Sequence, residues 1–202
     1  HTRQSLIEDV GEWKYLHAVQ GRDSHYELHS HNVGGSLKRQ DFDIRLEGDG
    51  ANFHLKSASF LSESRHIDQQ ITLNHLGKNT KSTQVINNVA DNKATATCNG
   101  RIVIDHGSSK ADASLSNKNL ALGDNVTFNA KPELEIYNDD VSCSHGATIS
   151  QLSESELFYL TSRGVHPARA KNMMARGFLN EAISGALQEI STHRLESFFP
   201  KI

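Results

Sequence analysis

The sequence predicts a mainly β protein: a right-handed parallel β-helix over residues 1–151, followed by a small C-terminal α-helical unit over residues 152–202. Three observations predict it. From about residue 12 to residue 150 the hydrophobic residues recur with a period of two, broken by turn residues at fairly regular spacing, which reads as many short strands. Inward positions hold small or polar side chains, Ala94, Ala96 and Gln69 among them, which suits stacked rungs around a narrow core. Aromatic residues make up 6% of the chain, too few to fill a wide sandwich, and no proline precedes Pro132, so the earlier strands need not lie at sheet edges.

The strands can be read in order. Asp41 to Glu47 alternates cleanly, with Phe42, Ile44 and Leu46 on one face and Asp41, Asp43, Arg45 and Glu47 on the other. Gly48-Asp49-Gly50 breaks that strand, and Ala51, Phe53 and Leu55 resume the alternation. Ile67, Ile71 and Leu73 form the next, with Gln69 as a polar exception. Ala94, Ala96 and Cys98 make a strand of small residues, and Arg101 to Asp105 a more continuous apolar run. Val126, Phe128 and Ala130 follow, then Leu134 and Ile136. The intervening turns read as Gly77-Lys78-Asn79, Asp91-Asn92-Lys93, Ser116-Asn117-Lys118-Asn119 and Gly123-Asp124-Asn125. No strict sequence repeat accompanies this spacing.

At Ser153 the period becomes helical. Ser153 is an N-cap with Glu156 as its capping-box partner, and Leu152 and Leu157 form a hydrophobic staple. Gly164 stops this helix and Pro167 opens a second. Ala170, Met174, Phe178, Ala182 and Ala186 then recur every four residues as an apolar stripe.

Composition excludes several classes of function. A net charge of −3 provides no field for nucleic acid or an anionic membrane, and no apolar run is long enough to cross a bilayer. The first thirty residues lack the apolar core of a signal peptide, and Cys98 and Cys143 are too far apart in sequence to read as a disulfide framework. A reducing, cytoplasmic setting is expected. No glycine loop for a nucleotide is present, so any ATP hydrolysis must belong to a partner.

The segment from Pro132 to Gly164 carries the most chemistry. A strand with Leu134 and Ile136 on one face leads through the polar turn Asn138-Asp139-Asp140 to a second strand bearing Cys143 and His145. Side chains two apart on a strand share a face. A thiol and an imidazole therefore lie together, where the imidazole could stabilise a thiolate and both could handle iron or sulfur. Strand neighbours of this kind are common, and spacing alone leaves them as ordinary packing residues. Adjacent carboxylates such as Asp139 and Asp140 point apart, and Asn-Asp-Asp is turn composition. His25, Glu27, His29 and His31 share one strand face in HYELHSH, which looks like a metal comb, but no glutamate follows at cupin spacing and imidazoles on a solvated face explain it. Met173 and Met174 are core residues by default and, with Phe178, an adaptable docking face as the alternative.

The stretches PELEIYNDDV, CSHGAT and LFYLTSRG are long and unusual, and they resemble the SufB/SufD family of iron–sulfur cluster assembly proteins, SufD above all. The resemblance covers residues 130 to 185 closely and the strands before them loosely. It implies a parallel β-helix core and a scaffold subunit that is not itself an enzyme. His145 matches the family's functional histidine at the subunit junction and would be a metal ligand there; Cys143 matches the cysteine of the same segment, with weaker support for a role. The resemblance further implies a SufB-like paralogue as partner, a homodimer when that paralogue is absent, and a SufC-like ATPase docked on the helical region through Met174 and Phe178. No cofactor would be tightly bound; iron or a cluster would sit transiently at a shared interface. SufB proteins tend to have HEAT where this chain has His145-Gly146-Ala147-Thr148, which counts against a SufB-type scaffold holding the cluster itself. A β-helical polysaccharide-degrading enzyme is the competing class. SufD proteins have more chain before this region, so the sequence reads as part of a longer protein.

Overall fold

The computed structural model describes residues 11–183. Ten strands alternate between two sheets: β1 (Gly11–Gln20), β2 (His25–Asn32), β3 (Leu37–Leu46), β4 (Asn52–Leu61), β5 (His66–His75), β6 (Lys81–Ala90), β7 (Thr95–Ile104), β8 (Ala111–Ala121), β9 (Thr127–Ile136) and β10 (Val141–Gln151). Odd strands form one five-stranded sheet in the order β1-β3-β5-β7-β9; even strands form the other, β10-β8-β6-β4-β2. Every pairing is parallel. The chain is therefore a two-sheet β-solenoid of about five turns, as the period-two pattern predicts.

Each turn moves the chain on by one rung. Leu37 lies beside His66 and His66 beside Thr95, a step of 29 residues, whereas the first and last turns of the same sheet take 26 and 32. This drift is why no strict repeat is visible in the sequence. At the corners the backbone turns through left-handed residues, Asp23, Asn79 and Lys110 on one side and Glu63 and Asn92 on the other. Gly48 and Gly77 stack there so closely that a Cβ on either would strike the backbone of the preceding turn.

The core follows from the alternation. Phe42, Ile44, Leu46, Phe53, Leu55, Ile71, Leu73, Ile102 and Ile104 are all 2% exposed or less and pack as one cluster. The polar exception Gln69 is also fully buried. Two sequence readings change. The small-residue strand and the apolar run from Arg101 are one strand, β7, because Gly100 only narrows it: a Cβ there would strike Leu115 from the facing sheet. Ser116 to Asn119, read as a turn, lies within β8, with Asn117 and Asn119 inward and 2% exposed. Polar residues in inward positions erase the hydrophobic period.

After β10, Ser153 caps α1 (Glu154–Ser162), its hydroxyl accepting from the Glu156 N–H at 3.3 Å. Gly164, at φ +85°, ends the helix: its N–H reaches Thr161 O, and that of Val165 reaches Leu160 O. Pro167 opens α2 (Pro167–Ile183). Of the predicted stripe, Ala170 and Ala182 are buried and Phe178 packs partly against the sheet, but the large positions shift by one residue, from Met174 to Ala175 and from Phe178 to Leu179. Ala175, Leu179, Ala182 and Ile183 are buried against Ala58, Val89 and Leu120 on the outer face of the even-strand sheet. Small side chains at Ala175 and Ala182 let the helix approach the sheet, whereas Met174 lines a pocket with α1 residues. Ala186 lies outside the described residues. No helix among those described is long and apolar enough to cross a membrane.

Candidate functional site

Among the described residues the solenoid ends in an unpaired rung, with β7 alone beside β9 and β8 alone beside β10. Register places Cys143 over Ala113, His145 over Leu115, Ala147 over Asn117 and Ile149 over Asn119. On the facing strand Leu134 lies over Ile102 and Ile136 over Ile104. These side chains occupy inward positions, yet nothing described covers them. His145 is exposed, and Ile149 and Ile136 are 60% and 45% exposed, while Leu134 and Cys143 are half-buried against the core. The end of the solenoid is thus an apolar face with one imidazole on it. A Cβ on Gly146 would meet nothing within 4 Å, so space beside His145 is open.

Cys143 and His145 share their face as expected, but the thiol is not activated. Burial is the main influence on the Cys143 thiol, pushing its pKa up; the Asp112 carboxylate adds to this, and a backbone hydrogen bond at Ala113 opposes it. Cys143 is therefore a thiol, not a thiolate, at neutral pH. Among the described residues no group of three or more His, Cys, Asp or Glu is placed to hold a metal ion.

The two free edges differ. β10 contains no proline and no Lys, Arg, Asp or Glu, so its edge is not blunted by charge. β9 carries Lys131, Pro132, Glu133 and Glu135. Proline is accommodated in an edge strand where its missing N–H falls on the free side, and it denies that side a donor. Of the two, β10 is the edge able to accept another strand.

The helical unit provides a second surface. Ser155, Glu156, Tyr159, Leu160 and Met174 line a shallow pocket of about 330 Å³ between α1 and α2. Phe158, Tyr159 and Met173 beside it are 73%, 54% and 47% exposed. Phe178 is differently placed: its ring packs against the solenoid cluster and its carbonyl accepts from Asn87 Nδ2 at 2.7 Å. Together with the Lys118–Glu181 ion pair at 2.7 Å, it fixes α2 to the sheet. Sequence reasoning missed Phe158 and Tyr159. Adjacent aromatics cannot both turn inward on one short helix, and that was the available signal.

The histidine comb faces outward from β2. His29 Nε2 pairs with Glu27 Oε1 at 2.9 Å, and Lys56 lies 3.5 Å from the same oxygen. The His29 hydrogen bond is the main influence holding the Glu27 carboxyl below its usual range. The His25 and His54 rings lie 5.3 Å apart. The face is only partly solvated, since the His29 side chain is 4% exposed.

Residues 2–178 match the model of the SufBD core domain of the SUF system for FeS cluster assembly. The chain belongs to the SufBD family. Its SufBD relatives include the iron–sulfur cluster assembly protein SufD of Escherichia coli, 32% identical over 153 residues, covering 76% of this chain and 36% of that protein. An iron–sulfur cluster assembly SufBD family protein of Synechocystis is 32% identical over 167 residues, covering 82% of this chain and 36% of its own length. The SufB protein of Bacillus subtilis is 32% identical over 151 residues, 73% of this chain and 32% of the relative. The chain spans about a third of the length of these curated relatives.

Proposed function

We propose that the chain is a SufD-like, non-catalytic part of a cytoplasmic scaffold on which iron–sulfur clusters are built as cargo. The observation that carries this reading is the end rung. An uncharged, proline-free edge at β10 presents His145 on an otherwise apolar face. A SufB-like paralogue would pair with β10, cover Ile136 and Ile149, and bring the thiolate or carboxylate ligands that this face lacks. A second copy of the chain would serve when the paralogue is absent. His145 would then ligate iron or accept a proton from a thiol, while Cys143 stays a packing neighbour of the site.

A SufC-like ATPase would dock on the helical unit. Met174 lines the pocket between α1 and α2, and Phe158, Tyr159 and Met173 extend that apolar surface. Phe178 would support docking by holding α2 in place. A SufB-type scaffold is the second reading, favoured by the 32% identity to SufB; Gly146, standing where SufB proteins tend to have glutamate, counts against it. Carboxylates on the outer face of the odd-strand sheet are tied up in ion pairs, Asp41 and Asp68 with Arg39 and Glu135 with Arg101, which gives a polysaccharide-cleaving acid pair no support.

Affinity capture from the source cell tests the proposal. The tagged chain should retain a paralogous β-helix protein and an ATPase. Ile149→Asp should lose the paralogue and keep the ATPase. Retention of both by Ile149→Asp would remove the β10 edge from the assembly.

A further inference from the structure

Two chains of buried side-chain hydrogen bonds run through the solenoid, and both stop at the turn formed by β5 and β6. In the first, Gln69 Nε2 donates to Gln40 Oε1 at 3.0 Å and to Ser57 Oγ at 2.8 Å, and Gln40 Nε2 donates to Asn32 Oδ1 at 2.7 Å. In the second, Asn88 Nδ2 donates to Asn119 Oδ1 at 3.0 Å, and Asn119 Nδ2 donates to the Thr148 carbonyl of β10 at 3.1 Å. Each chain ends in a bare acceptor. Gln69 Oε1 and Asn88 Oδ1 have no hydrogen-bond partner among the described residues, and their residues are 0% and 1% exposed.

The two ends converge on one stretch of β4. Gln69 reaches Ser57, and Asn88 lies in register beside Ser59, two positions along on the same face. Two carbonyl oxygens cannot satisfy each other, and both amide nitrogens are already engaged. A buried acceptor without a donor is unfavourable, and native proteins resolve such pairs with an internal water. The ligand that fits is small, neutral and able to donate twice.

We propose that a buried water donates to Gln69 Oε1 and Asn88 Oδ1. It joins the two chains into one polar spine from Asn32 in β2 to the backbone of β10. The interior of the solenoid is then tied to its end strand through side chains as well as through the sheet ladder. A high-resolution crystal structure should show one ordered water within hydrogen-bond reach of both oxygens. Direct donation from one of these amides to the other, or a dry gap, overturns the proposal. A thermodynamic cycle adds a readout in solution. Gln69→Leu and Asn88→Leu each leave the water one acceptor and no bridge, so the double variant should lose less stability than the two single losses combined. Strictly additive losses would mean that no molecule links the two sites.

Discussion

Acidification should weaken this fold through one histidine. His75 is fully buried at the corner between β5 and β6. The Thr80 hydroxyl donates to Gly77 O at 3.1 Å, so it accepts from His75 Nδ1–H at 2.8 Å, and Ser82 Oγ donates to Nε2 at 2.9 Å. The neutral imidazole is thus satisfied on both sides, and a proton on Nε2 would displace the Ser82 donor. Burial lowers the His75 pKa from the ordinary 6.5 to about 4. The unfolded chain therefore binds this proton first as pH falls. The stability that His75 contributes is present above pH 6.5 and is lost between 6.5 and 4. Between pH 7 and pH 4.5 the loss comes to about 2–3 kcal/mol, from the free energy equivalent of each pKa unit. Urea unfolding of the wild type and His75→Gln at both pH values isolates it, because other titrations cancel in the difference. The wild type's advantage over His75→Gln should shrink by that amount on acidification. A pH-independent difference would refute the reasoning.

Gln84 is 1% exposed with both amide atoms unpartnered among the described residues, in register between Leu55 and Leu115. Gln84→Met should therefore raise the free energy of unfolding by about 1–3 kcal/mol, measured by urea titration; a fall would mean that the amide has a partner. Phe158→Asp with Met173→Asp should abolish binding of the SufC-like ATPase in a pull-down while leaving the far-UV circular dichroism unchanged; full binding would place the docking surface elsewhere. Phe178→Asp should act differently, lowering thermal stability as well as binding, because the ring packs on the solenoid; a variant as stable as the wild type would contradict that role.

The strands with apolar inward rows were legible in the sequence, since Phe42-Ile44-Leu46 and Ile67-Ile71-Leu73 carry the period directly. β8 was not, because Asn117 and Asn119 occupy inward positions that a hydrophobic pattern marks as turn. α2 was found, and Ala170 and Ala182 of its stripe are buried, but its large members were misplaced: Met174 and Phe178 suggested the stripe, whereas Ala175 and Leu179 are the residues buried against the sheet. At the site, the shared face of Cys143 and His145 follows from alternation alone. Exposure does not, because an inward position is normally buried. Only the end of the solenoid, a property of the whole topology, leaves His145 open. The raised thiol pKa of Cys143 was likewise invisible, since its main cause is burial, which only the packed strands reveal.

The most direct test of the central claim is cluster delivery in cells carrying His145→Ala. His145 is exposed, so the variant should fold, and it should still capture its paralogue and ATPase. Maturation of iron–sulfur enzymes in those cells should fail, while Cys143→Ser has a milder effect. Normal enzyme maturation with His145→Ala would contradict the claim that the end rung is where the cluster is assembled.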